Sequence, residues 1–164
     1  MNLPKDTLMD GYEVKACAPK ELSHAELESC FAIIRDGGAV DVNTMKRDLP
    51  KSRVLAIAQI GDQIVGVGAI KPVRKPYAAK VAIGSGVEFP PDTLELGYVA
   101  VHSAHQNRGL SKRIVLVLVS SLSDRLFATT DQEWMRRTLP KVGFARKGKE
   151  WPEQRGMLSF WERL

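Results

Sequence analysis

The chain is 164 residues long, 44% hydrophobic and 26% charged, with a formal net charge of +5. That is the usual span of one domain, and it buries enough surface to hold a core without disulfides or metal. The longest apolar run without glycine, Ile114 to Val119, is far short of the roughly 20 residues a membrane-crossing helix needs, so a helical membrane span is excluded. The opening stretch carries acids and lacks the apolar stretch of a secretory signal, which makes the cytoplasm the expected location.

Cys17 and Cys30 are too few for a disulfide scaffold and too far apart for a CxxC site. They read as buried apolar thiols. The positive charge is spread along the chain, with 12 basic and 10 acidic residues in the first 82 and 12 and 9 in the last 82. Two stretches are locally basic. One holds Lys71, Arg74, Lys75 and Lys80; the other holds Arg136, Arg137, Lys141, Arg146, Lys147 and Lys149. Such patches suit a phosphorylated cofactor, an acidic substrate or nucleic acid. A solvated mixed surface is the plainer reading.

Residues 1–11 are polar and irregular and read as a flexible arm. Tyr12 to Ala18 alternates as a first strand. Ser23 and Glu26 form a capping box, flanked by Leu22 and Leu27 as a hydrophobic staple. Leu27, Cys30, Phe31 and Ile34 then recur on one helical face, and Gly37-Gly38 closes the helix. Asn43 to Leu49 predicts a short second helix before Pro50. Arg53 to Ile60 and Gln63 to Lys71 read as strands joined by a Gly61-Asp62 turn. Gly66 and Gly68 leave room on one face of the second strand, as where a backbone or ligand approaches closely.

Lys80 to Gly84 is expected to continue the sheet, and Thr93 to Val101 is another strand. Leu110 to Leu122 reads as a buried helix because the apolar stretch has helical length and follows a glycine turn. Arg125 to Thr129 is a short strand. Thr130 and Glu133 suggest a second capping box, opening a helix that Pro140 ends and Gly143 closes. Ala145 to Trp151 and Met157 to Trp161 are the last strands. The order predicts an α/β sheet with helices between strands.

The most informative window is Leu94 to Arg113, LELGYVAVHSAHQNRGLSKR. A strand enters a polar turn, Gln106-Asn107-Arg108-Gly109-Leu110-Ser111, and then a helix. Free amides at a helix N-terminus attract anions, and Gly109 lets backbone approach a phosphate. Lys112 and Arg113 stand on the unfavourable side of the helix dipole, which points to another reason for them, such as a phosphate. The spacing is neither the Walker loop nor GxGxxG.

Gln106-x-x-Gly109-x-Ser111 resembles the Q/RxxGxG/A pyrophosphate loop of the GCN5-related N-acetyltransferases (GNAT). LGYVAV is similar to that family's fourth strand. LFATTDQEWMRRTLPKVGFARKGKEW is similar to its fifth strand, fourth helix and the start of its sixth strand, and IVGVGAI to its third strand. The resemblance implies the GNAT fold: a mixed, mostly antiparallel sheet splayed between its fourth and fifth strands, with helices on both faces. It also implies a single domain over residues 1–164.

The resemblance further implies acetyl-CoA as co-substrate. Gln106, Asn107, Arg108, Gly109, Leu110, Ser111 and Lys112 would hold its pyrophosphate. The backbone of Val99, Ala100 and Val101 would pair with the pantetheine arm and polarise the thioester carbonyl. Glu95, thirteen residues before Arg108, matches the general base of the histone-acetylating branch. An ammonium substrate must lose a proton before it attacks, and a carboxylate can take it. Leu139 stands where many members carry a tyrosine acid, so either Tyr98, Tyr77 or a water donates the proton or the thiolate leaves unassisted.

The acceptor implied is a primary amine on a small molecule or protein. A tRNA- or nucleic-acid-directed enzyme and a non-catalytic acyl-CoA binder stand as alternatives. His102 and His105 lack the further ligands of a metal site, so no metal is expected. The three tryptophans read as core or rim. Arg136, Arg137 and Lys141 suit either the cofactor's 3′-phosphate or a solvated helix face. The expected assembly is a monomer or homodimer, with Met157 to Trp161 as a candidate dimer strand.

Overall fold

The computed structural model describes residues 3, 5–7, 10–38 and 40–164. Chain order is β1 (Lys5–Thr7), β2 (Tyr12–Cys17), α1 (His24–Asp36), α2 (Val42–Asp48), β3 (Val54–Ile60), β4 (Gln63–Pro72), α3 (Lys75–Ser85), β5 (Leu94–Val101), α4 (Leu110–Ser120), β6 (Leu126–Thr130), α5 (Glu133–Thr138), β7 (Ala145–Glu153) and β8 (Gly156–Arg163). The strands hydrogen-bond in the order β1-β2-β3-β4-β5-β6-β8-β7. The described ladders are antiparallel except β5 with β6. This is the expected α/β fold with a mixed sheet. Its residues group into two compact units, Met1–Lys71 with Gly97–Ser123, and Pro72–Leu96 with Asp124–Leu164.

In the first unit, α1 begins as its sequence dictates. The Glu26 amide donates to Ser23 Oγ at 3.1 Å and the Ser23 amide donates to Glu26 Oε1 at 2.8 Å. This reciprocal cap satisfies two amides that the first helical turn leaves open. Cys30, Phe31, Ile33 and Ile34 then pack with Met45 and Leu49 onto Cys17, Leu55, Ile57, Val67 and Ala69. That set is one face of β2, β3 and β4, because alternate strand residues share a face.

The opposite face is shaped for α4. Register pairs Ala56 with Gly68 and Ala58 with Gly66, a floor of small residues. A Cβ at Gly68 would stand 2.6 Å from Ile114 Cγ2 and 2.9 Å from Leu118 Cδ1. The room these glycines leave is therefore filled by α4 and is not open to a ligand. Ile114 and Leu118 are fully buried, each stabilising the fold by about 1.5–3 kcal/mol.

The second unit orders its strands β5-β6-β8-β7, with only the start of β5 included. Phe127, Phe160, Trp151 and Val81 form its core. Parallel pairing of β5 with β6 is confined to Leu94↔Leu126 and Glu95↔Phe127. Beyond Glu95 the two strands share no further described pairing.

Four expectations need correction. Lys80 to Gly84 is helix, inside α3, and not strand. Pro76 sits in the first turn, where its missing N–H costs nothing, alanines favour the helix, and Gly86 closes it in the left-handed region. Val81 joins the core and Gly84 lies flush on Trp151, so packing fixes the choice.

The second capping box does not form. Thr130 ends β6 and its Oγ1 accepts the Gln132 amide at 2.9 Å. The α5 helix starts after Gln132 with no side-chain cap. Part of the expected arm is sheet, since Lys5–Thr7 pairs with β2; residues 1, 2, 4, 8 and 9 lie outside the described residues. Finally, β8 is hydrogen-bonded to β6 on one side and β7 on the other. The backbone of Phe160 and Trp161 is thus paired on both sides within the chain, which removes them as an open dimer edge, while Met157 and Leu158 pair with β7 alone among the described ladders.

Candidate active site

The β5 strand carries the candidate chemistry along its length. Glu95 is buried, at 6% exposure, and lies beside Phe127 in the ladder. Three residues later Tyr98 adopts φ +54°, a region that non-glycine residues seldom occupy. Such strain costs about 1–3 kcal/mol and persists only where the surroundings impose it. It falls one residue after Gly97, inside β5. The Tyr98 ring packs against the α1 side of the core and carries Lys71 Nζ 4.7 Å above its centroid. Val99 faces the other way, toward Gly68.

After Val101 the chain is braced into a defined loop. The His102 amide donates to Val65 O at 2.8 Å and His102 Nδ1 accepts the Ala104 amide. His105 Nδ1 meets the Tyr12 hydroxyl at 2.8 Å. Gln106 Nε2 reaches back to Val101 O at 3.2 Å. The two histidines are thus loop braces, and no His/Cys/Asp/Glu cluster able to hold a metal is found among the described residues.

The expected anion loop follows. Asn107 and Gly109 both take left-handed conformations, at φ +64° and +75°. Gly109 is the N-cap of α4, with no side chain capping the helix. A Cβ built on Gly109 would meet nothing within 4 Å. The Arg113 amide makes the first intrahelical bond, to Gly109 O at 3.2 Å. The amides of Leu110, Ser111 and Lys112 therefore have no acceptor within the helix. Together with the helix dipole they form an anion cradle. Leu110 and Ile114, both buried, fix the first turn on the sheet.

Of the flanking cations, Lys112 and Arg108 are exposed, and Arg108 lies 5.9 Å from the Tyr12 ring. Arg113 does something else. Its guanidinium donates to Tyr12 O at 3.0 Å and pairs with Asp10 at 3.2 Å, with the side chain 11% exposed. It ties α4 to β2 and so does not supply the phosphate charge read from sequence.

In the second unit, Leu139 is fully buried and begins the 3₁₀ turn Leu139–Val142. The Tyr77 hydroxyl bonds Thr129 Oγ1 at 3.0 Å. Three of the six cations in the later basic stretch meet internal partners. Arg136 pairs with Glu150 at 3.0 Å and donates to Met157 O, Arg146 shares Glu150, and Arg137 pairs with Glu133. Sequence reasoning missed α3 and the open cavity of about 560 Å³ beside it, lined by Arg74, Lys75, Pro76, Tyr77 and Lys80. Pro76 followed by alanines was the available signal.

The two cysteines lie in the first unit, and burial pushes Cys17 up to about 11 and Cys30 up to about 12. No helix is long and apolar enough to cross a membrane among the described residues.

The family model for the acetyltransferase (GNAT) family matches residues 20–144. The fold is similar to that of Escherichia coli ElaA, with TM-score 0.66 at 13% identity over 93% of this chain and 99% of that one. A GNAT-family acetyltransferase from Streptococcus agalactiae superposes with TM-score 0.66 at 13% identity, over 92% of this chain and 95% of the other. YncA of Salmonella typhimurium, solved with its cofactor acetyl-CoA, gives TM-score 0.60 at 16% identity over 91% of each chain. No curated protein matches the sequence. The chain belongs to the GNAT acetyltransferase family.

Proposed function

We propose that residues 1–164 act as one N-acetyltransferase that moves an acetyl group from acetyl-CoA to a primary amine by direct attack. The observation that carries this reading is the Gln106–Lys112 loop. It combines a left-handed Gly109 with open space at its Cβ, and three first-turn amides without helical acceptors. A pyrophosphate is the anion such a cradle suits. Acetyl-CoA supplies an activated thioester when bound.

The chain's own groups divide the remaining work. Gln106, Asn107, Arg108, Gly109, Leu110, Ser111 and Lys112 hold the diphosphate. The backbone of Val99, Ala100 and Val101, which has no described ladder with β6, lines the acyl arm and donates to the carbonyl oxygen. In other enzymes losing one such donor costs about 3 kcal/mol. Glu95 takes the proton from the acceptor ammonium. Leu139 has no proton to give, so Tyr98 is the side chain offered as acid. Holding both reactants in place supplies much of the rate.

The test is calorimetric titration with acetyl-CoA, beside a Gly109→Glu variant. Binding near micromolar in the parent, weakened about 100-fold or more in the variant, is the expected result, because a carboxylate then occupies the anion cradle. A folded protein free of copurified coenzyme that binds no acetyl-CoA overturns the proposal. Amine-dependent thiol release then checks transfer. Glu95→Gln should lower kcat by about 100-fold or more with little change in coenzyme affinity.

A further inference from the structure

The loop that carries the open amides of Leu110, Ser111 and Lys112 lies at the surface. Gln106, Asn107, Arg108 and Gly109 are exposed, and burial resumes only at Leu110. Asn107 and Gly109 are both left-handed, and a residue other than glycine keeps such a backbone where its surroundings impose it. One segment from far back in the sequence, Asp10-Gly11-Tyr12 at the start of β2, reaches this loop and its helix at three points.

Tyr12 is 4% exposed. It is five positions from Cys17 on the same strand, so it faces away from the α1 core and toward α4. Its hydroxyl lies 2.8 Å from His105 Nδ1, and its ring meets the imidazole edge-on. The same ring lies 5.9 Å from the Arg108 guanidinium. The Tyr12 carbonyl accepts from Arg113 at 3.0 Å. The Tyr12 amide donates to Asp10 Oδ1 at 3.0 Å, and Asp10 Oδ2 takes the Arg113 guanidinium at 3.2 Å. His105 and Arg108 precede the open amides and Arg113 follows them, so the attachments straddle the anion cradle.

We propose that Tyr12 is a positioning residue for the coenzyme's diphosphate: it presets the Gln106–Lys112 loop in its anion-binding shape before the ligand arrives. This rests on the acetyl-CoA reading above and deepens it. A loop that must order itself on binding loses affinity to conformational entropy, and a preset loop avoids that loss. The ring also keeps the Arg108 charge beside the loop by cation–π attraction, while Asp10 holds Arg113 against β2.

The experiment titrates acetyl-CoA calorimetrically into the parent, Tyr12→Phe, His105→Phe, the double variant and His105→Asn. Each of the two single Phe variants removes one end of the hydroxyl–imidazole contact and should weaken acetyl-CoA about five-fold. The double variant should bind no more weakly than either single, because one contact is lost only once. His105→Asn returns a polar amide near the place of Nδ1 and should recover most of the loss. The fitted stoichiometry reports the folded fraction and the Kd reports the loop. A merely structural role lowers melting temperature and stoichiometry and leaves the Kd where it was.

Tyr12→Phe binding as tightly as the parent, losses that multiply in the double variant, or no recovery in His105→Asn overturns the inference. His105 is only half-buried, so His105→Phe against His105→Asn reads the same contact from the loop side and decides the matter if Tyr12→Phe does not fold. A folded parent that binds no acetyl-CoA removes the coenzyme reading and this inference together. A parent that binds it, with equal affinity across the variants, removes this inference alone.

Discussion

β5 enters α4 through a braced loop, and β4 enters α3 almost at once, through Val73 and Arg74. Both junctions place cations at the start of a helix. The first builds the proposed anion site from backbone: two left-handed residues, an uncapped helix end and a Gly109 whose Cβ position is empty. The second sets side chains around an open cavity, with proline at the helix start. A backbone site demands particular residues at fixed spacing. A side-chain site demands only charge, which many sequences carry.

The sharpest way to break this contrast is at the backbone site. After Gly109→Glu, the milder Gly109→Ala separates shape from charge. Its Cβ meets no neighbour, so the penalty comes from φ +75°, about 1–2 kcal/mol of strain. Acetyl-CoA affinity should fall about ten-fold, against about two- to five-fold for Lys112→Ala, which removes one exposed charge. Equal losses from the two variants would show that charge, and not backbone shape, governs the loop.

The seat of α3 is the next target. A Cβ at Gly84 would lie 2.7 Å from Trp151 Cγ and Cδ2. The indole cannot yield as a flexible chain would. Gly84→Val should destabilise the second unit by about 2–3 kcal/mol, read as a thermal shift of roughly 5–10 °C. Tyr77→Phe removes the hydroxyl that bonds Thr129 and should cost about 1 kcal/mol. A parent-like melting temperature for Gly84→Val would mean that α3 is not held on β7.

These contacts also show why the two junctions differed in legibility. α1, the β3–β4 hairpin and the Gln106–Ser111 loop were readable because each depends on local chemistry: a reciprocal cap, a glycine turn, a fixed motif. α3 was not. Its alanines and lysines have no strong apolar period, and the residues that settle it, Phe127, Trp151 and Phe160, lie more than forty positions downstream. The room beside Gly66 and Gly68 was legible but its occupants were not, since Ile114 and Leu118 fill the space only in three dimensions. Arg113 was misread because its partners, Tyr12 O and Asp10, are a hundred residues away.

The cysteines give the smallest expected effect, and it bears on mechanism. Burial is the main cause that raises both thiols. Glu21 adds to it at Cys17, Lys15 partly offsets it there, and Cys17 and Glu26 add to it at Cys30. With folded values of about 11 and 12 against an ordinary 9.0, the native chain keeps protons that the unfolded chain releases. Stability from this source is whole below pH 9 and is lost as pH rises through 11 to 12, by up to about 1.4 kcal/mol per unit for each thiol. Denaturant titrations at pH 8 and pH 10.5 should show a steeper loss in the parent than in a Cys17→Ala/Cys30→Ala variant. Iodoacetamide at pH 8 should label neither thiol until the chain unfolds. Rapid labelling of the native protein would place a thiolate within reach and reopen a covalent acetyl-cysteine route. Without it, both sulfurs stay protonated in the core beneath α1, and the acetyl transfer proposed above has no cysteine to pass through.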